Sequence, residues 1–565
     1  MQRGGIEFAA IAICVTCIGV ATGARAQSLA PGERPGERRI PVLGPLEEVE
    51  PPLLVPLPPP PQSDRDRLSA GPRVRVREFR VVGSTVFTPE QFAATLVPWT
   101  GREITSQDLI AARDAVTLLY VQRGYVNSGA VIRDQKIGDG VVELTIVEGT
   151  LAGVEIGGNR WFRTGYLRDR IAGGHETPLD ANALAERLDV LQQDPRFARL
   201  NAELVPGTRP GEALLRVRVE EVPPWHLDLQ SDNYTSPSIG SYTGRAIASF
   251  DNPLGLGDAI GVMFAGSNGL RDVEGWYSLP VTRWDTSVRL RYRRSASDVV
   301  ESPFDQLDIS GRTDTFAASI EQPVWRSRRV NAAVSVTAEH RRSDTYLFGE
   351  PFSFTPGLVE GKTRITVLRI EQSGLYRDDR QVFAARSTFS VGLHVGDRSD
   401  DALAPNAHFF AWLAQLQYVR RFDALRGTEL VLRSDSQLTP DTLVPIEQFA
   451  VGGPTTVRGY RENELVRDDG TIASLELRVP LFGGAGDRIR VQLAPFLDCG
   501  YSWSARGPTF GDRWLSSAGI GLRGTFLRRI QAELYWGAKL QSVPEPLNHE
   551  LQDSGVSFRV TVGMF

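Results

Sequence analysis

Ile530-Gln531-Ala532-Glu533-Leu534-Tyr535-Trp536-Gly537-Ala538-Lys539 alternates, with Ile, Ala, Leu, Trp and Ala at the even positions and Gln, Glu, Tyr, Gly and Lys between them. In an extended chain successive side chains point to opposite faces, so one face of this segment suits an apolar medium and the other suits water. The same grammar returns in Val288, Leu290 and Tyr292 against Arg289, Arg291 and Arg293. It returns again in Val556, Phe558, Val560 and Val562 against Ser557, Arg559 and Thr561. A soluble sandwich also alternates, but here the inward positions carry charge on many strands, and no module boundary interrupts residues 225–565. About 16 such segments, separated by turn residues, match the ~9–11-residue strands that cross a membrane as a barrel. The pattern predicts a closed, even-stranded, antiparallel β-barrel with a wide polar lumen.

Upstream the grammar changes. Residues 73–222 read as two similar α/β modules of order β-α-α-β-β. In the first, Val74, Val76 and Phe79 to Val82 are strand-like, and Thr88-Pro89-Glu90 gives a helix N-cap with proline at the first turn. A second helix starts at Thr105 or Ser106, carries Leu109, Ala112, Val116, Leu119 and Tyr120 on one face, and stops near Gly124. Val126 to Ile132, the turn Gly138-Asp139-Gly140 and Val141 to Glu148 complete a hairpin. The second module repeats the order: a strand Val154 to Ile156, helices at Thr164 to Ile171 and Asp180 to Gln193, and strands Ala198 to Val205 and Leu214 to Glu220. The predicted domains are 73–149, 150–222 and a barrel at 223–565. The fold class is mixed, a 16-stranded antiparallel transmembrane β-barrel behind two small α/β domains.

Before the modules, nothing can pack. Arg3, the apolar run Phe8 to Ala21 and Ala24-Arg25-Ala26 before Gln27 read as a cleavable secretory signal over residues 1–26. Residues 27–72 hold nine of the chain's 36 prolines between Pro41 and Pro61 and read as a semi-rigid spacer. Cys14 and Cys17 fall inside the signal, so Cys499 alone remains and no internal disulfide forms. No later segment offers the eighteen consecutive apolar residues of a membrane helix.

Composition excludes several functions. The chain has 565 residues and a formal charge of −5, with basic residues dispersed rather than clustered, which argues against a nucleic-acid binder. Six histidines and three cysteines give no metal-ligand spacing, and no cofactor is expected. Gly519-x-Gly521-x-x-Gly524 spells a dinucleotide fingerprint, but alternation runs through it and no βαβ unit surrounds it, so it reads as strand. There is no Gly-x-Ser-x-Gly elbow, and the His175–Glu176 and His226–Asp228 pairs read as isolated surface groups rather than catalytic ones. No enzyme chemistry is expected.

Gln448-Phe449-Ala450-Val451-Gly452-Gly453 followed by Thr456-Val457-Arg458-Gly459-Tyr460 resembles the signature loop of outer-membrane protein translocation and assembly barrels. Asp251-Asn252-Pro253-Leu254-Gly255-Leu256-Gly257-Asp258 resembles the turn after that superfamily's second strand. Phe496-Leu497-Asp498-Cys499-Gly500 is similar to its Phe-x-Asp-x-Gly strand motif, and the chain ends in Phe565 as such barrels usually do, although the last strand's apolar parity falls on Val562 and Met564 and leaves Phe565 one step out of phase with the usual assembly signal. The two modules resemble polypeptide-transport-associated (POTRA) domains. In order and spacing the whole resembles the B-component of two-partner secretion, the haemolysin/filamentous-haemagglutinin secretion-activation transporters. Such a protein would sit in the outer membrane with its modules in the periplasm. It would capture an unfolded exoprotein (a large β-helical adhesin, haemolysin or toxin) and pass it to the surface without ATP, after insertion into lipid by the barrel-assembly machinery. Members often carry an N-terminal helix that plugs the barrel, whereas Pro31-Gly32-Glu33-Arg34-Pro35-Gly36 is a poor helix former. The alternatives are a barrel-assembly factor, which usually has more modules, and a passive porin, which has no use for residues 73–222.

Period two places Phe496, Asp498 and Gly500 on one face and Leu497, Cys499 and Tyr501 on the other. The second set suits lipid, so Asp498 faces the lumen and needs a partner. If the glycine-rich loop tucks inward, the Arg458 guanidinium can clamp the Asp498 carboxylate bidentately. Gly500 would leave room for that loop and Tyr460 would pack on the wall.

Overall fold

The computed structural model describes residues 73–137, 139–173, 177–354, 360–395, 408–483, 488–527, 529–544 and 548–564. The signal, the spacer, the plug question, the His175–Glu176 pair and Phe565 lie outside those residues. The rest divides into a unit carrying the two modules and a unit from Pro223 onward.

In each module a central strand is parallel to the module's first strand and antiparallel to a second neighbour. The first module pairs Glu78–Val82 with Val141–Val147, and Val141–Val147 with Gly129–Val131. The second pairs Thr150–Gly157 with Glu212–Glu221, and Glu212–Glu221 with Phe197–Pro206. Two helices cover each sheet: Pro89–Leu96 and Ser106–Gln122, then Thr164–Ala172 and Ala181–Gln192. Caps start them where the sequence implies. The Thr88 N–H donates to Gln91 Oε1 at 3.0 Å, and Thr105 exchanges bonds with Asp108 at 2.9 and 3.2 Å. The helix face read from sequence is the buried one, since Ala112, Val116 and Tyr120 are sealed against Phe87, Phe92 and Leu144. Burial pushes the Tyr120 phenol up to about 12, and its hydroxyl meets Ser84 Oγ at 2.6 Å and Glu148 at 3.3 Å.

Two details of the first module differ from the sequence reading. The strand expected at Val126 to Ile132 shrinks to Gly129–Val131. Residues 125–128 are turned instead, the Tyr125 N–H donating to Tyr120 O at 3.0 Å and the Ser128 N–H to Tyr125 O at 3.1 Å. A strand with no alternation to reveal it, Arg102–Ile104, folds back on Val74–Val76, and Gly101 at φ +80° makes the turn.

The modules are stitched together. Asn127 donates to the carbonyls of Thr150 (3.2 Å) and Gly211 (2.9 Å), Leu179 N–H to Gly149 O (2.8 Å), and Ala181 N–H to Gly124 O (3.0 Å). A Cβ on Gly149 would lie 2.1 Å from Asn127 Oδ1, so glycine is required for this approach.

The second unit is a closed barrel of sixteen antiparallel strands. In order these are Trp225–Asp232, Thr243–Asp251, Ala259–Gly266, Leu270–Pro280, Ser287–Asp298, Ser310–Arg326, Val330–Leu347 and Lys362–Arg377. Gln381–Val395, Phe410–Phe422, Thr428–Leu438, Asp469–Phe482, Ile489–Trp503, Trp514–Phe526, Ile530–Lys539 and Val556–Gly563 follow. The last closes on the first from Arg559↔Asp232 to Gly563↔Asp228. Closure removes the sheet edges, which is what allows strands to cross lipid. The outer wall is apolar: Phe264, Leu290, Phe316, Ile320, Leu497, Leu534 and Trp536 are each about half exposed or more. The inner wall is charged, with Asp272, Glu274, Arg341, Arg369, Glu476 and Asp498 buried. No helix among the described residues is long and apolar enough to cross a membrane.

Asp251 to Asp258 turns the chain after the second strand. Asn252 sits at φ +65°, its Oδ1 accepts from Gly257 N–H at 2.7 Å, and Asp258 receives the Tyr277 hydroxyl at 3.0 Å. Gly519 and Gly521 lie within the fourteenth strand, and the space their missing Cβ atoms leave is taken by the rings of Phe496 and Tyr535. His226 is not an isolated surface group paired with Asp228; its Nε2 reaches Asp251 on the adjacent strand at 3.2 Å.

Candidate functional site

Residues 439–468 join the eleventh and twelfth strands and fold into the barrel. Phe449–Val451 and Leu465–Arg467 form a short ribbon, and the segment between them carries the signature motif. Gly452, Gly453 and Gly459 all have φ near +100°, a conformation that side chains resist. A Cβ on Gly459 would meet Gly537 O at 2.8 Å, so the loop tip lies against the backbone of the fifteenth strand.

The tip is bolted to the wall through Arg458. Its Nε and Nη2 donate to the two carboxylate oxygens of Asp498 at 2.8 and 2.9 Å, and its backbone N–H adds a third bond at 3.0 Å. Nη1 donates to Glu476, and Nη2 also reaches Ser474 Oγ at 3.1 Å. Ser474 donates in turn to Asp498 at 2.6 Å. The guanidinium lies 3.7 Å from the Phe496 ring centroid and 4.8 Å from that of Tyr535, a stacked cation between two rings. Tyr535 donates to Glu476 at 3.2 Å, and Arg478 donates to the other Glu476 oxygen at 2.7 Å. Arg523, bonded to Glu533 at 2.7 Å, completes a cluster in which Arg458, Arg478 and Arg523 balance Asp498, Glu476 and Glu533. Such a cluster costs much to bury unless each charge is matched, and here each one is.

The remaining residues singled out by sequence surround this bolt. Val457 and Tyr460 are buried. The Tyr460 hydroxyl donates to Ser516 O at 2.9 Å and accepts from Gln541 N–H at 3.0 Å. A Cβ on Gly500 would lie 2.4 Å from Val451 Cγ1 and 3.0 Å from Val457 Cγ2, so glycine there seats the loop. Phe496 lies under the guanidinium, and Cys499 points away and is exposed. Sequence reasoning missed Glu476, Ser474 and Tyr535. Strand register would have exposed the first two, because Ser474 stands opposite Asp498 and Glu476 opposite Phe496. Just beyond the tip, Arg461 joins other loops: it meets Asp553 at 2.8 Å, Glu301 at 2.7 Å and Asn548 O at 2.9 Å.

An apolar-skinned, charge-lined barrel with one of its own loops bolted inside, preceded by small α/β modules, defines an outer-membrane transport barrel. The haemolysin secretion/activation family (ShlB/FhaC/HecB) matches residues 211–524, and the ShlB-type POTRA domain matches residues 74–149. The chain belongs to that family. It is similar to the outer membrane transporter CdiB of Escherichia coli O6:K15:H31, 24% identical over 80% of this chain and 76% of that one. To the hemolysin transporter ShlB of Serratia marcescens it is 23% identical over 69% of each. The solved structure of CdiB from Escherichia coli superposes with a TM-score of 0.68 at 22% identity, over 90% of this chain and 94% of that one. The protein is thus a two-partner secretion transporter of the outer membrane, with its N-terminal region in the periplasm.

Proposed function

We propose that both α/β modules are POTRA domains, that they capture an extended, unfolded exoprotein by strand addition, and that the loop carrying Arg458 is the element the passing chain must displace. The cargo class is a large β-helical adhesin, haemolysin or toxin, and barrel-assembly machinery inserts the transporter into lipid. The observation that carries this reading is the Arg458–Asp498 bolt: an ion pair and hydrogen bonds, which water can replace, hold the loop tip in the lumen beside small apolar contacts of Phe449, Val451, Val457 and Tyr460 with Leu413, Ile472 and Leu515. Strand addition needs an unpaired edge. Phe197–Pro206 pairs on one side only among the described residues and has ten residues to offer, whereas Gly129–Val131 offers three. With no ATP in the periplasm, folding of the exported chain outside prevents its return. Val457, Arg458, Gly459 and Tyr460 hold the closed state, with Phe496, Asp498 and Gly500 as their seat. A photo-crosslinker at Asn201 should trap the exoprotein during export and one at Val131 should trap less; trapping at neither edge would refute capture by strand addition.

A further inference from the structure

The same loop meets the wall at a second place, five strands round from Asp498. Leu443 and Val444 are buried with Ile365, Val367, Phe409 and Ala411 of the wall and its adjoining turn. Three residues on, the Glu447 carboxylate accepts from Arg369 Nη2 at 2.7 Å and from Arg341 Nη1 at 3.3 Å. These arginines belong to the eighth and seventh strands. Arg369 also donates to Glu339 at 3.2 Å and to Ser390 Oγ at 2.7 Å, and Arg291 links Glu339 (3.0 Å) to Glu274 (3.6 Å). The Glu447 and Glu339 side chains are 1% exposed, and those of Arg341 and Arg369 are 4% and 5%.

Charge bookkeeping makes this more than a contact. Among the described residues Glu274, Glu339 and Glu447 face Arg291, Arg341 and Arg369, and of these only Glu447 comes from the loop. Removing it leaves these described groups with one guanidinium in excess in a buried sector of the wall. At the tip the sign is opposite, since removing Arg458 leaves one uncompensated carboxylate. The loop therefore brings a negative charge to one sector and a positive charge to another, and only one seating satisfies both.

We infer that Glu447 is a second positioning residue of the transporter, gripped by Arg341 and Arg369 so that Arg458 is delivered to Asp498. This rests on the transporter reading, and its test reads the loop separately from export. Ala450, buried between the two anchors, becomes a reporter as Ala450→Cys in a Cys499→Ala background. The full-length protein in outer membranes is treated with a membrane-impermeant maleimide, and the heat-modifiable gel shift of the folded barrel serves as control. Glu447→Gln should raise the labelling rate about tenfold or more and lower export of a co-expressed exoprotein, because a buried charge loses its partner. Arg369→Glu should do the same, and Arg369→Glu with Glu447→Arg should recover part of the protection, because the new carboxylate faces Glu339 and the new guanidinium faces Arg341. Glu447→Gln lies outside the strand ladder and remains the test if Arg369→Glu fails to assemble. Unchanged labelling in Glu447→Gln would overturn the inference whatever happens to export. Faster labelling with normal export would keep the anchor and refute the need for a seated loop.

Discussion

Replacing Asp498 by asparagine removes the charge at the centre of the bolt and little else. The carboxylate accepts four hydrogen bonds, three from Arg458 at 2.8, 2.9 and 3.0 Å and one from Ser474 at 2.6 Å. Breaking one side of a buried ion pair costs about 3–5 kcal/mol. Arg458 keeps Glu476 and its two flanking rings, so the lower figure applies. About 3 kcal/mol is roughly a hundredfold in the ratio of seated to unseated loop. The assay is maleimide labelling at Ala450→Cys, Cys499→Ala, whose rate follows the unseated population, measured beside export. Asp498→Asn should label about a hundred times faster and export poorly. Exchanging the charges, Arg458→Asp with Asp498→Arg, should recover only part of the protection. The new carboxylate at position 458 would face Glu476, and the new guanidinium at 498 would face the backbone N–H of residue 458 and the Ser474 hydroxyl as fellow donors. Unchanged labelling and export in Asp498→Asn would refute the bolt as the element that holds the loop.

Other positions give sharper local tests. Gly500→Leu puts a side chain where Val451 and Val457 already lie, and overpacking of about 1–3 kcal/mol should expose Ala450→Cys while the barrel still shows its gel shift. Asn127→Ala removes the side-chain donor to the Thr150 and Gly211 carbonyls at the module junction, leaving Gly211 O only the Thr150 N–H, and hydrogen exchange there should quicken by about tenfold, as expected for a lost buried partner. At Asp553, burial raises the carboxyl pKa, but the hydrogen bonds from Arg461 and the Glu550 N–H and the charges of Arg461 and Lys539 together outweigh it, so the folded value lies below the ordinary 3.8. A depressed carboxylate stabilises above its unfolded value and stops doing so as pH falls through the folded one. The Arg461–Asp553 tie should thus hold at neutral pH and release only in acid below 3.8, read as proteolysis of residues 540–555 in intact cells; release near pH 6 would contradict that sign.

Most of the barrel was legible because lipid outside and water inside impose a period of two, which Ile530 to Lys539 and Val556 to Val562 obey without exception. The bolt was legible for a different reason: Arg458 and Asp498 each sit in a short glycine-marked motif, and parity alone turns Asp498 inward. Glu476 was not legible, since its meeting with Arg458 depends on the register of the twelfth and thirteenth strands, which no local pattern fixes. Glu447 was hidden more deeply, because its partners are about 80 and 100 residues away and the path of an irregular loop has no periodicity. The short strand Arg102–Ile104 escaped for want of length, and Val126 to Ser128 was over-read as strand because β-branched Val126 there sits in a turn.

Surface delivery of a co-expressed partner exoprotein, compared with and without this gene and with other outer-membrane proteins measured in the same cells, separates a dedicated exporter from a barrel-assembly factor. Without the transporter, delivery should be lost while the other barrels keep their levels. Undiminished delivery with other barrels depleted would contradict that and assign the protein to barrel assembly.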